Sequence, residues 1–262
     1  MKVSQIRNAS LLLEFQSGAR NIGLLVDPML APKATLPSLK YFGVRRQRNP
    51  LVELPTHTPE FLARVTHCLI THCQRGHFDH LDRAGKKFLR DAGIPVICMP
   101  RDVAYLSARG ILTQPLLGEQ TQPFFHGQIT PVPCVHGRGL IGSLMEHGHG
   151  YFIDLPGEPS IYIAGDTLLT NEVRRCLIER RPQLSVLPGG GARLDIGSKI
   201  LMNATDVLEA CSLTSGIVVV NHLQALDHCP TTRAELTDAA VNAGLMDRMR
   251  VPQDGETLSF NL

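Results

Sequence analysis

Tryptophan is absent and aromatic residues make up only 5% of the chain, so no stretch combines basic side chains with interleaved rings. That argues against a surface that stacks nucleic-acid bases. Charge of either sign is also in short supply: Lys and Arg number 26, Asp and Glu 24, and the net charge is +2. The basic residues are scattered. Their one cluster, Arg45-Arg46-Gln47-Arg48, reads as a solvated loop. No apolar run reaches the ~18 residues that cross a bilayer, and Met1 to Asn8 has no apolar signal segment, so a cytoplasmic protein without membrane contact is expected. The seven cysteines (68, 73, 98, 134, 176, 211, 229) form no Cys-x-x-Cys pair and mostly sit in apolar settings, as reduced core thiols do. Cys73 and Cys229 adjoin histidine-rich stretches, which makes them additional ligand candidates.

What is present suits an ordinary globular protein. The hydrophobic fraction is 43% over 262 residues, enough to bury a sizeable core. Neither a repeat of fixed period nor a linker is visible, so residues 1–262 are expected to form a single domain. Leu11 to Phe15 and Ile22 to Val26 read as a hairpin, with Asp27-Pro28 ending its second strand. Ala31 to Thr58, rich in Pro and basic residues, reads as a long surface loop, of the kind that is usually functional. Pro59 to Ala63, Arg83 to Asp91, Arg101 to Arg109, Thr170 to Arg180, Ala204 to Cys211 (with Asn203 as N-cap) and Thr231 to Ala243 read as helices. Strands are expected at Cys68 to Ile70, Ile94 to Cys98, Gln128 to Val135, Leu184 to Leu187, Gly216 to Val220 and Glu256 to Phe260. Leu140 to Met145, Tyr151 to Leu155 and Ser160 to Ala164 suggest three antiparallel strands.

Ligand-type residues recur where these strands end. After Cys68-Leu69-Ile70 comes Thr71-His72-Cys73-Gln74-Arg75-Gly76-His77-Phe78-Asp79-His80, three histidines and an aspartate in one loop. His136, Asp166 and His222 follow three further strands. Each of these alone also suits a hydrogen-bonding or capping side chain. Together, imidazoles and carboxylates at four strand ends point to a metal site, since these are the usual nitrogen and oxygen ligands of zinc and its first-row neighbours.

In this order the residues resemble the metallo-β-lactamase superfamily, in particular a branch of small cytosolic metal-dependent hydrolases that includes the L-ascorbate-6-phosphate lactonases. The family pattern Thr/Ser-His-x-His-x-Asp-His, then His, Gly-Asp-Thr and a last His, is matched by Thr71-His72, His77-Phe78-Asp79-His80, His136, Gly165-Asp166-Thr167 and His222. Asn8-Ala9-Ser10, Asp27-Pro28-Met29-Leu30 and Asn49-Pro50-Leu51 extend the likeness over nearly the whole chain. The resemblance implies an α/β fold, a four-layered αββα sandwich with the metal site at one edge. It departs at one place: four residues, not one, separate His72 from His77. A gapless register puts Gln74 and Gly76 where the second histidine and the aspartate belong. A three-residue insertion after His72 instead keeps His77, Asp79 and His80, and it is preferred because it leads into the next helix at the family distance.

The resemblance implies one or two divalent ions, zinc or manganese first: His72, His77 and His136 around one, Asp79, His80 and His222 around the other, and Asp166 between them. A hydroxide between the ions would be the nucleophile, with Asp79 orienting it and passing protons. Thr167, Asp82 and Asp227 are candidates to fix the imidazole tautomers. Arg138, Arg193 and Arg233 could hold an anionic group of the substrate, because guanidinium binds carboxylate and phosphate in a fork; His228 could contact the substrate or donate a proton. His147 and His149 read as turn residues outside the site. The expected activity is hydrolysis of a small ester, lactone or phosphoester, with a small molecule as partner and homo-oligomerisation left open. The alternative is a metal-binding protein of the same fold with a depleted site and no hydrolytic activity.

Overall fold

A computed structural model describes residues 1–42, 46–74, 76–139, 142 and 148–261. Arg45, Arg75 and His147 therefore lie outside the described residues, as does the strand expected at Leu140 to Met145 apart from Gly142.

Two seven-stranded sheets carry the fold. In the first, β1 (Lys2–Arg7), β2 (Ser10–Ser17) and β3 (Arg20–Val26) form an antiparallel meander that β14 (Thr257–Ser259) extends beside β1. From β3 onward, β4 (His67–Leu69), β5 (Val96–Cys98) and β6 (Thr113–Pro115) add in parallel. The second sheet repeats the scheme. β7 (Gln122–Phe124), β8 (Gly127–Pro133), β9 (His149–Asp154) and β10 (Ile161–Ile163) are antiparallel; β11 (Leu184–Pro188), β12 (Ile217–Asn221) and β13 (Met249–Arg250) then continue in parallel. Parallel neighbours need crossovers, and the helices supply them. α1 (Thr58–Leu62), α2 (Arg83–Asp91) and α3 (Val103–Ser107) serve the first sheet; α4 (Asn171–Arg175), α5 (Ala204–Leu213) and α6 (Arg233–Asn242) serve the second.

The strands are apolar at consecutive positions because both faces of each sheet are covered. Leu11, Leu13, Leu24 and Val26 meet Ile161, Ile163, Val186 and Val219 between the sheets. The intervening residues point outward: Leu12, Leu25, Cys68 and Val96 pack with Phe61, Leu89 and Leu106 of α1 to α3. On the far side, Tyr162, Leu187, Val218 and Val220 pack with Val173, Val207, Ala210 and Leu236 of α4 to α6. Helix, sheet, sheet, helix: this is the four-layered sandwich that the sequence led one to expect. All seven cysteines are free and buried.

Local chemistry sets the helix starts. Asp82 caps α2 by accepting from Gly85 N at 2.7 Å, and its other oxygen accepts from Ala31 N at 2.6 Å, so one carboxylate fixes the helix and anchors the loop after β3. A Cβ on Gly85 would lie 2.1 Å from Pro28 O, so glycine there lets α2 pack directly on the Asp27-Pro28 turn. Asn203 caps α5 as expected, in a reciprocal pair with Asp206, and Thr232 and Glu235 do the same for α6.

Several elements differ from expectation. The Arg101 to Arg109 helix splits into a 3-10 turn, Pro100–Asp102, followed by α3. Beyond α4 the chain widens into a π-helical turn, Cys176–Arg180, ending at Arg181 in the left-handed region (φ 47°). β1, β6, β7 and β13 are additional strands. β9 and β10 are antiparallel as expected, but the described neighbour on the other side of β9 is β8, and β10 continues into a parallel pair with β11. His149 opens β9 as a buried strand residue rather than a turn residue.

Candidate metal centre

Strands of both sheets end on one edge, where strand ends place side chains outside the packed interior. β4 leads into Thr71 and His72, β8 into His136, β10 into Asp166, and β12 into His222. Gly165 (φ 63°) lets the turn before Asp166 approach the other sheet; a Cβ there would lie 3.1 Å from Thr71 Cβ. The two sheets thereby bring their site residues together. One ligand atom from each of His72, His77 and His136 forms a first group, and one from each of Asp79, His80, Asp166 and His222 a second, all within 4.8 Å of one another in each group.

Asp166 stands between the groups. Its Oδ2 is 3.0 Å from His80 Nε2, 3.4 Å from His222 Nε2 and 3.7 Å from His136 Nε2. Asp79 Oδ2 is 3.9 Å from the Nε2 atoms of both His80 and His222. Despite this crowding, His72 Nε2, His80 Nε2 and both Asp166 carboxylate oxygens lack a hydrogen-bond partner among the described residues; the 3.0 Å approach of His80 to Asp166 does not have hydrogen-bond geometry. Buried polar atoms are seldom left in this state. A donor set of inward-facing imidazole nitrogens and carboxylate oxygens, four of these atoms unpartnered, fits divalent cations of the zinc type.

Four of the five rings are held from behind through Nδ1. His80 Nδ1 is 2.8 Å from Asp27 Oδ2, His136 Nδ1 2.9 Å from Ile200 O, His72 Nδ1 3.2 Å from Thr71 Oγ1, and His222 Nδ1 3.4 Å from Cys229 Sγ. A proton on Nδ1 leaves the Nε2 lone pair facing the centre. Asp27 also accepts from Thr71 N at 2.8 Å and Thr71 Oγ1 at 2.5 Å, so it fixes two consecutive parts of the histidine loop. Asn8 donates from Nδ2 to Asp79 O at 3.2 Å and has the same nitrogen 3.3 Å from His222 Nε2.

Burial and charge divide the imidazoles. At His72 and His136 burial prevails and lowers basicity, with neighbouring imidazoles adding to it, so both rings are neutral and suited to donate a lone pair. Burial, the largest single influence, opposes protonation at His80 and His222 too, but Asp166 together with Asp27 at His80 and with Cys229 at His222 outweighs it, pushing His80 up to about 10 and His222 well above the ordinary imidazole value. Asp166 and Asp79 are held below the usual carboxylate range against burial, by His222 and His80 at Asp166 and by His80 first at Asp79. The second group is thus a negative pocket that calls for a cation, which protons or a metal can provide.

The remaining candidates lie outside the two ligand groups. Arg138 and Arg193 are exposed, and the Arg193 N–H donates to His228 O at 3.0 Å. His228 is buried, its ring 6.4 Å from that of His222. Arg233 binds Asp254, Gln224 and Pro252 O, a structural role. Thr167 ties β8 to the Asp166 turn by accepting from Val135 N, Asp82 caps α2, and Asp227 binds the loop after β3; the expectation that they orient imidazoles is corrected in favour of Asp27, Ile200 O, Thr71 and Cys229. Asn8 and Asp27 went unrecognised as site residues. The signals for them were their place in the Asn8-Ala9-Ser10 and Asp27-Pro28-Met29-Leu30 stretches of the family likeness and their position at strand ends on the same edge.

The family profile described as a beta-lactamase superfamily domain matches residues 23–230. The UPF0173 protein YddR of Bacillus subtilis (strain 168) is 30% identical over 264 residues, covering 99% of this chain and 100% of that protein. A UPF0173 metal-dependent hydrolase, MJ1163 of Methanocaldococcus jannaschii, is 26% identical over 81% of this chain and 90% of its own length. Among solved structures, an isothiocyanate hydrolase from Delia radicum gut bacteria superposes with a TM-score of 0.89 at 30% identity, covering 100% of both chains. A profile that spans most of the sequence and a relative matched end to end both fit the geometry above: the protein belongs to the metallo-β-lactamase superfamily.

Proposed function

We propose that the protein is a metal-dependent hydrolase of a small molecule, with His72, His77 and His136 holding one divalent cation, Asp79, His80 and His222 a second, and Asp166 shared. The observation that carries this reading is Asp166 Oδ2, unpartnered in the interior and facing imidazole nitrogens of both groups. Zinc or manganese suits the donor set. When bound, such ions polarise the scissile carbonyl or phosphoryl group and make water easier to deprotonate.

The chain's own residues do the rest. Asp79, buried beside the pocket and kept ionised at neutral pH, accepts a proton from the attacking water and returns it to the leaving atom. Asp27, Ile200 O and Thr71 hold the rings in place, so little reorganisation is left to the reaction. Arg138 and Arg193, both solvent-facing, and the buried His228 are the side chains available to contact the substrate beyond the centre.

The gathering of Asp79 and His80 into the second group supports the three-residue insertion and counts against a depleted, non-hydrolytic site. Esters, lactones and phosphoesters are the substrate classes. The full-length relative described as an isothiocyanate hydrolase adds the isothiocyanate carbon, another centre open to attack by water. The test is metal analysis of protein purified without chelator, followed by a screen of lactones, phosphoesters and isothiocyanates. About one to two ions per chain and turnover abolished by chelation are expected. Near-zero metal after reconstitution with zinc, manganese or iron would overturn the reading.

A further inference from the structure

Three of the imidazoles at the centre rest on oxygen: a carboxylate behind His80, a carbonyl behind His136 and a hydroxyl behind His72. His222 is the exception. Among the described residues, the atom within hydrogen-bonding range of its Nδ1 is Cys229 Sγ, at 3.4 Å. The sulfur is confined on three sides. His228 Nδ1 lies 3.9 Å away, and the Gly189-Gly190-Gly191 turn after β11 closes in from another direction. A Cβ on Gly190 would lie 3.1 Å from Cys229 Sγ and 2.2 Å from His222 O. Only a bare backbone fits there, so the turn packs directly against the sulfur.

We propose that Cys229 is the positioning residue of His222: its sulfur accepts the Nδ1 proton and so holds the Nε2 lone pair toward Asp79, His80 and Asp166. The role rests on the metal reading above and adds to it. It makes one cation position, and not the other, depend on a sulfur atom outside the ligand set. Outer partners of this kind typically change metal affinity by about 10- to 100-fold when removed. Serine keeps an acceptor at the same place on a slightly shorter bond; alanine removes it.

The test uses full-length wild type, Cys229→Ala and Cys229→Ser, stripped of metal and titrated with cobalt(II), whose visible absorption reports its ligand geometry. Wild type is expected to take up cobalt in two steps. In Cys229→Ala one step weakens by about 10-fold or more with an altered spectrum while the other is unchanged, and Cys229→Ser recovers most of the loss. Melting curves of the metal-free proteins separate affinity from folding. Two unaltered steps in Cys229→Ala would overturn the role, and so would equal weakening of both steps in Ala and Ser variants alike, the pattern of a general packing defect. If wild type itself binds no cobalt, the metal reading fails and this role fails with it; tight wild-type binding with an unperturbed alanine variant removes the Cys229 role alone.

Discussion

Asp166 and Asp27 are both buried aspartates at strand ends, yet they face different ways. Asp166 has two unpartnered oxygens among imidazoles, whereas both oxygens of Asp27 are engaged by Thr71 and His80. Replacing Asp166 by alanine is therefore expected to lower metal content more than any single histidine change, because only this side chain reaches both groups; metal titration of the variants decides it, and retention of both ions would reduce Asp166 to a turn residue. The contrast also shows what could be read in advance. Gly165-Asp166-Thr167 advertises its aspartate by local motif. Asp27 meets Thr71 across a gap of 44 residues, and no spacing in the sequence encodes that contact. The doubled register after His72 was open for a similar reason, since only the folded loop tells whether Asp79 and His80 turn inward. His80→Ala is expected to reduce metal occupancy and any hydrolysis, and Gln74→Ala to leave both within about a few-fold, since an amide is a far weaker ligand than imidazole. The opposite ranking would restore the gapless register.

Elements with strong local signals were legible. α2, its bounds Arg83–Asp91 matching the sequence reading, has an Asp cap and a following Gly; α5 has its Asn-Asp box; the β2–β3 hairpin has two apolar runs on either side of a turn-rich stretch. β1 was hidden because Ser4, Gln5 and Arg7 are polar yet buried, and Arg7 lies under the loop after β3, donating to Met29 O and Ala31 O at 2.8 Å. β6, β7 and β13 have two or three residues each, too short for a period to show. The long loop was recognised as a loop, but not its anchor. The Asp227 carboxylate accepts from Leu39 N at 3.1 Å, Asn49 Nδ2 at 3.0 Å, Gln47 N at 3.3 Å and Ser38 Oγ, and so fastens the loop to the segment after His222. Burial opposes its charge, but the Ser38 and Asn49 hydrogen bonds outweigh burial and lower its pKa. A depressed carboxylate stabilises the fold above its unfolded value of about 3.9, and that contribution is lost as pH falls through the folded value. Asp227→Asn is thus expected to have a lower urea midpoint than wild type at neutral pH and to lose less between about pH 5 and pH 3. Parallel pH profiles for the two proteins would show that the anchor does not depend on charge.

Across the whole molecule, the centre gathers residues from both sheets, and its members span the chain from His72 to His222, with Asn8 reaching in from the first turn. An ion held by His72 and His136 would close one long stretch of backbone into a loop, and an ion held by Asp79 and His222 a longer one that encloses Asp166. In the unfolded chain those ends are free to wander, and tying them together removes conformational freedom only slowly dependent on loop length. Cations in this position would act as reversible staples in a protein whose seven thiols form no disulfide. Chelation is expected to lower Tm by several degrees, and resupplying the ion to raise it in a concentration-dependent way, as any ligand of the native state does. Calorimetry of the stripped and reloaded protein measures this directly, and coincident curves would mean that catalytic loading and fold stability are independent. If they are linked, the availability of the ion sets how long the chain survives unfolding as well as whether it can turn over substrate.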